Sequence, residues 1–264
     1  MRPATYIDGM YPLVGRPLHP ELWEGCVGAW APCLGPTGLT LRDWSGRANH
    51  GTLTNSPTWA IETGSYSLQF PSTTDHVNCG SNVLTGGDCT VLAWVGSSSS
   101  WSPNNFNAVF FSKGTLNGDS LSTVALYWNQ SLGWSFFVLN PSNTFAVVRS
   151  AFTPVAGASY CVAGVCRGSQ IELWVNGRLL NTAAATGGVK ESTHTSYIGY
   201  EPVTNAGHNG WIKDVMVHRR ALAASELLTL ARRPGIAYEL APRRRSALVA
   251  GFNRRRRLLV GAGS

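Results

Sequence analysis

The chain has 264 residues, 29 of them Gly and 10 Trp, with only 13% charged side chains, a composition that suits a turn-rich all-β protein rather than a helical one. The net charge of +7 invites a nucleic-acid reading, but residues 1–242 carry 14 Lys or Arg against 14 Asp or Glu, so the whole excess lies in Arg243, Arg244, Arg245, Arg254, Arg255, Arg256 and Arg257. No run approaches the apolar length of a membrane span, and the sequence from Met1 to Tyr6 lacks the apolar stretch of a secretory signal.

Pro3, Pro12, Pro17 and Pro20 fall in a stretch without sustained period, so residues 1–25 are expected to form an extended arm ahead of the fold. From Cys26 onward, short apolar runs separated by Gly, Asn, Ser and Pro clusters have the spacing of a sandwich. The expected strands are Gly28 to Trp30, Ser67 to Phe70, Thr90 to Val95, Ala108 to Ser112, Thr123 to Trp128, Trp134 to Leu139, Thr144 to Arg149, Ser159 to Cys166, Gln170 to Val175, Thr195 to Gly199 and Gly210 to His218. In the clearest of them, Ile171, Leu173 and Val175 face one way and Gln170, Glu172 and Trp174 the other. Asn176-Gly177 follows at once and supplies the positive φ values of a two-residue type I′ hairpin.

One short helix is expected from about Ala223 to Arg232, because Leu222, Leu227, Leu228 and Leu230 are apolar at roughly helical spacing and Pro234 stops the pattern. Residues 26–232 are therefore read as one domain and residues 233–264 as an Arg-rich tail. The tail is amphiphilic, because Leu248, Val249, Phe252, Leu258, Leu259 and Val260 lie between and after the Arg clusters. Six cysteines (Cys26, Cys33, Cys79, Cys89, Cys161, Cys166) are too sparse for a disulfide framework. Cys161 and Cys166, five apart in one strand, point to opposite faces. Free buried thiols are the preferred reading, with Cys26–Cys33 and Cys79–Cys89 the pairings to examine.

Read in order, several segments resemble the laminin-G-like family of concanavalin A-type jelly rolls. Asp43-Trp44-Ser45-Gly46-Arg47-Ala48-Asn49-His50-Gly51 looks like its opening motif, and Tyr66 to Phe70 with Asp75-His76-Val77 is similar to its second strand and turn. Thr90 to Val95, the Ile171 to Gly177 hairpin and Asn209 to Leu222 resemble later strands, so the likeness spans about residues 26 to 232. It implies a two-sheet antiparallel β-sandwich with one short C-terminal helix and extended terminal arms. Lys213 stands where the family commonly has Asp, and His218 where it usually has Tyr, so a family metal site is not carried over. The opening Trp30-Ala31-Pro32 and Gly35 to Gly46, together with the Arg-rich end, also resemble versions encoded by tailed bacteriophages.

Enzymatic chemistry finds little support. Glycoside hydrolysis needs two carboxylates about 5 to 9 Å apart, and no Glu-x-Asp or Asp-x-Glu occurs. Gly-x-Ser-x-Gly, His-Glu-x-x-His and phosphate-loop motifs are also missing. Asp43 and Asp75 are the candidate calcium ligands, with turn roles as their alternative; no other cofactor is expected. His50 and His76 are read as turn residues. Trp101, in a polar loop, and Trp174, on the face away from Ile171, are the candidate glycan-stacking rings.

Three readings stand for the Arg clusters: a solvated tail, docking onto an acidic protein surface with Phe252 and its apolar neighbours filling grooves, and phosphate contact. Nucleic acid is disfavoured because the tail lacks interleaved aromatics. The resemblance therefore implies a non-enzymatic virion structural or decoration protein, anchored to capsid or tail subunits and oligomeric on assembly. Its expected location is the virion, assembled in the host cytoplasm. A secreted or surface carbohydrate-binding module is the alternative, and a glycoside hydrolase the third.

Overall fold

The structure is a computed structural model that describes residues 15–83, 86–97, 101, 107–114 and 122–242. In chain order its strands are β1 (Cys26–Trp30), β2 (Thr40–Leu41), β3 (Gly51–Thr54), β4 (Thr58–Glu62), β5 (Ser65–Phe70), β6 (His76–Asn78), β7 (Cys89–Gly96), β8 (Asn107–Gly114), β9 (Ser122–Asn129), β10 (Gly133–Leu139), β11 (Phe145–Ser150), β12 (Ser159–Arg167), β13 (Gln170–Val175), β14 (Arg178–Ala184), β15 (Ser196–Ile198), β16 (Tyr200–Glu201), β17 (Ala206–Gly207) and β18 (Gly210–His218). One α-helix, α1 (Ala224–Leu230), follows. All eleven expected strands are present, with ends moved by no more than two residues. The helix is shorter than its expected span.

Apart from the separate β16–β17 pair, the strands form two antiparallel sheets stacked as a sandwich. One has the order β14-β13-β12-β7-β18-β5-β4, with β1 also paired to β18; the other runs β11-β10-β9-β8-β15-β6-β3-β2. β18 pairs with β5 through Gly210 to Ile212 and with β1 through Val215 to His218, so two strands share one of its edges in tandem. Between these halves a bulge falls between Ile212 and Asp214. It shifts the alternation by one residue, so Ile212, Val215 and Val217 all enter the central core while Met216 joins the outer layer.

The central layer joins the inner faces of the sheets through Trp30, Phe70, Phe110, Phe111, Trp134 and Phe136, among others. Gly164 on β12 lies directly under the Phe136 ring, where a Cβ would overlap it, so the close approach of the sheets requires glycine there. Asn176 (φ 51°) and Gly177 (φ 75°) join β13 to β14 by the expected two-residue turn, with Val175 opposite Arg178. β14 escaped the sequence reading because it is an edge strand whose side chains are mostly exposed, without clean alternation.

β7 and β18 are buried along their whole lengths, which requires cover on both faces of the first sheet. A second apolar layer provides it: Leu22, Trp23, Leu222, Leu227, Leu230, Ile236 and Tyr238 sit on Leu92, Trp94, Cys161, Val165 and Met216. The Trp94 indole N–H donates to the Leu230 carbonyl at 3.1 Å, and that of Trp23 to the Ala237 carbonyl at 2.9 Å. Residues 16–24 and 233–241, which the sequence reading assigns to arm and tail, therefore lie packed on the sandwich. The difference has a physical cause, since Leu22, Trp23, Ile236 and Tyr238 remove apolar area from water on a face that would otherwise be bare.

Candidate binding site

The motif from Asp43 to Gly51 folds into a turn organised by one carboxylate. Asp43 is 3% exposed; its Oδ1 accepts the N–H groups of Ala29 and Ser45, both at 2.9 Å, and its Oδ2 accepts the Asn49 N–H at 2.9 Å and the Ser45 hydroxyl at 2.8 Å. The Asn49 amide donates to the Val27 carbonyl at 2.8 Å, and the Trp30 indole donates to the Asn49 carbonyl at 2.9 Å. These bonds fasten the turn to β1. Gly46 (φ 80°) and Ala48 (φ 58°) take left-handed conformations within it. His50 Nδ1 accepts the Asp43 N–H at 3.1 Å, the turn role expected of it.

This turn forms one wall of a pocket of about 220 Å3 lined by Val27, Arg47, Asn49, Asn82, Val83 and Arg219. Arg47 comes from the turn, Arg219 from the residue after β18, and Asn82 and Val83 from the loop after β6. Side-chain ion pairs among the described residues join His19 to Glu21, Arg167 to Glu172, Arg220 to Glu226 and Arg233 to Glu239, and none involves Arg47 or Arg219. Among the described lining residues none is a carboxylate. Two exposed arginines beside the exposed Asn82 make a donor-rich site fitted to binding an acceptor-bearing group.

Apart from Asp43, which organises the turn at the pocket wall, the residues singled out from sequence lie elsewhere. Trp101 is 6% exposed and belongs to the central core, 5.4 Å from the Trp134 ring centroid and 6.2 Å from those of Trp128 and Phe110, with its indole donating to the Val155 carbonyl at 3.3 Å. The expectation of an exposed stacking ring at Trp101 is corrected: polar neighbours in sequence do not stop a large ring from filling the end of the core. Trp174 is partly buried against the outer layer, and its indole donates to Glu172 at 2.8 Å. Asp75 is 2% exposed and accepts the N–H groups of Ser56 and Ser72 at 3.0 and 2.8 Å. The oxygens of Asp43 and Asp75 thus serve turns, and no group of three or more His, Cys, Asp or Glu side chains suited to a metal occurs among the described residues.

His76 stacks on Tyr200 at 4.7 Å and meets Tyr197 edge-on at 5.5 Å, a small aromatic cluster beside β6 and β15 that sequence alone did not bring together. Arg47 and Arg219 also went unremarked, because no period or spacing links two residues whose convergence depends on the pairing of β1 with β18. Their only trace in the sequence is the place of Arg47 inside the opening motif. Phe252 and the seven Arg from Arg243 to Arg257, the candidate anchor, lie outside the described residues.

The model of a family described as the concanavalin A-like lectin/glucanases superfamily matches residues 71–228. No curated protein matches the chain. Among solved structures, domain 4 of AbnA, a GH43 extracellular arabinanase from Geobacillus stearothermophilus solved with arabinotriose, is similar with a TM-score of 0.63 at 13% identity, covering 78% of this chain and 98% of that one. The binding domain of Paraclostridial Mosquitocidal Protein 1 has a TM-score of 0.61 at 12% identity, covering 80% and 52%. Trypanosoma rangeli sialidase has 0.57 at 14%, covering 79% and 32%. The chain thus spans about half of the mosquitocidal-protein structure and about a third of the sialidase. At these identities the likenesses establish the fold.

Proposed function

The chain belongs to the laminin-G-like family of the concanavalin A-like lectin/glucanases superfamily, and we propose that it is a non-enzymatic virion structural or decoration protein, a displayed jelly roll anchored by its terminal segments to capsid or tail subunits. The reading rests on the geometry of the chain's ends. Leu18 donates to the Glu239 carbonyl at 2.6 Å and Ala241 to the Arg16 carbonyl at 2.8 Å, around a bridge between Pro17 and Leu240. Residues 16–18 and 239–241 therefore lie side by side, and the sequence after residue 242 carries the entire excess positive charge. Arginine forks meeting an acidic subunit surface, with Phe252 and its neighbours in grooves, give such an anchor both charge and apolar contact. Six free thiols fit assembly in the host cytoplasm.

Several of the described acids are engaged in structural hydrogen bonds. Asp88 accepts the Gly168 N–H, Glu201 the N–H groups of Val203 and Thr204, and Glu226 both the Ala223 N–H and the Arg220 fork. These bonds favour a binding module over a hydrolase. The test is attachment: a chain lacking residues 243–264 keeps the melting midpoint of the parent and fails to co-sediment with purified particles. Undiminished co-sedimentation of the shortened chain rules out the anchor.

A second reading, a carbohydrate-binding module, is compatible with the first. It is favoured by the donor-rich pocket and by the likeness to an arabinanase domain solved with arabinotriose. A glycan array tests it, and the lack of any saturable signal removes it.

A further inference from the structure

We infer that the pocket between Arg47 and Arg219 receives an anionic sugar, a glycan unit bearing a carboxylate or a sulfate. The inference rests on the carbohydrate-binding reading and assigns it a site and a ligand class. Arg47 and Arg219 are exposed, arise from distant parts of the chain, and line the same cavity without an ion-pair partner among the described residues. Arg220, next in sequence, shows the alternative, since its fork is closed by Glu226 with bonds of 2.8 and 2.5 Å. Two like charges facing one space repel each other, and a ligand anion between them relieves that repulsion while satisfying the planar donors.

The rest of the lining selects a sugar over a simple ion or an acidic peptide. The Asn49 amide is turned to the Val27 carbonyl and the residue is 8% exposed, so it serves as a fixed wall. Asn82 adds an amide that both donates and accepts, the pairing a hydroxyl requires. Val27, 8% exposed, gives a small apolar contact beside them, while Val83 is fully buried. A volume of about 220 Å3 lies below the roughly 300 Å3 where pockets for drug-sized ligands begin, so it accommodates one charged unit rather than an oligosaccharide. A peptide would instead be read along a strand edge, and this pocket lies at the meeting of a turn, a loop and two strand ends.

The experiment is calorimetric titration of the full chain at low salt with glucuronate, glucose 6-sulfate, inorganic sulfate, hexaglutamate and neutral glucose. Glucuronate or glucose 6-sulfate binds about tenfold or more tighter than glucose, and Arg47→Ala or Arg219→Ala each weakens that binding about tenfold. Arg47→Lys keeps the charge but loses the fork and weakens binding by less than Arg47→Ala. Melting midpoints equal to the parent show that these exposed substitutions leave the fold intact. Charged sugars held no tighter than glucose, binding unchanged in the double Ala variant, or binding of sulfate or hexaglutamate alone would each overturn the assignment. Neutral glycans retained on an array by the double variant would separate failure of this pocket from failure of the carbohydrate-binding reading.

Discussion

Tyr238 donates its hydroxyl to the Asp214 carboxylate at 3.3 Å, and Gly235 donates its N–H to the other oxygen at 3.1 Å. These bonds tie the segment that follows α1 to the bulged half of β18. Asp214 is enclosed by the outer apolar layer, and burial, offset in part by its hydrogen bonds, pushes its pKa up to about 7. Burial acts the other way on His208 and His218, lowering each to about 4 against the bonds their rings make to backbone carbonyls. The three groups therefore respond to acid with opposite signs.

Asp214 holds its proton more tightly folded than unfolded, so its contribution favours the fold increasingly as pH falls from about 7 towards 4. The two histidines refuse protons that the unfolded chain accepts, so their contribution is lost as pH falls from about 6.5 to 4. Two groups outweigh one, and acid destabilises through this set. Asp214→Asn removes the opposing member, so its urea unfolding free energy declines more steeply than the parent's between pH 7 and 4, by about 1.4 kcal/mol per pH unit. Parallel profiles for the two chains would show that Asp214 titrates normally.

Much of the fold was legible from residues alone where burial is one-sided. Ile171, Leu173 and Val175 alternate with polar partners, and Asn176-Gly177 has only one economical use, so β13 and its turn stand where expected. β7 and β18 carried a further signal that went unread: being apolar on both faces, they call for cover, and the cover comes from Leu22, Trp23, Ile236 and Tyr238. Those residues lie in 3-10 turns, Pro20–Trp23 and Ile236–Tyr238, too short to show a period. The pocket was illegible for a different reason, because its two arginines meet only through sheet pairing.

The two tryptophans chosen from sequence part company in energetic terms. Trp101 fills the central core, and Trp101→Ala costs about 3 to 5 kcal/mol as a large-to-small core change. Trp174 is only partly buried, and Trp174→Ala costs less, about 1 to 2 kcal/mol. Chemical denaturation of both variants checks the order. A Trp101 variant as stable as the parent would mean that its ring spends its time in solvent.

Asp43 concentrates four donors, three of them backbone N–H groups, on one buried carboxylate. Asp43→Ala leaves them without an acceptor and destabilises by about 3 to 5 kcal/mol, while Asp43→Asn, which keeps one acceptor oxygen, costs less. Since both oxygens are already occupied, calcium at about 1 mM, the level that fills weak extracellular sites, leaves the melting midpoint where a chelator leaves it. A rise with calcium that vanishes in Asp43→Asn would restore the metal reading of this turn.

Thiol chemistry distinguishes the six cysteines from paired ones. Burial raises every thiol above its ordinary range, Cys166 to about 11, and Cys33 alone is partly exposed. Cys89 and Cys166 stand opposite each other on β7 and β12 inside the central core, while Cys161 faces the outer layer, as its offset of five from Cys166 requires. Because the thiolate is the nucleophile, a thiol reagent at neutral pH modifies at most Cys33 in the native chain, and slowly. Unfolding in denaturant without reductant then exposes all six. A count of four in the unfolded, unreduced chain would establish a bridge, and peptide mapping would decide between Cys26–Cys33, Cys79–Cys89 and the facing pair on β7 and β12.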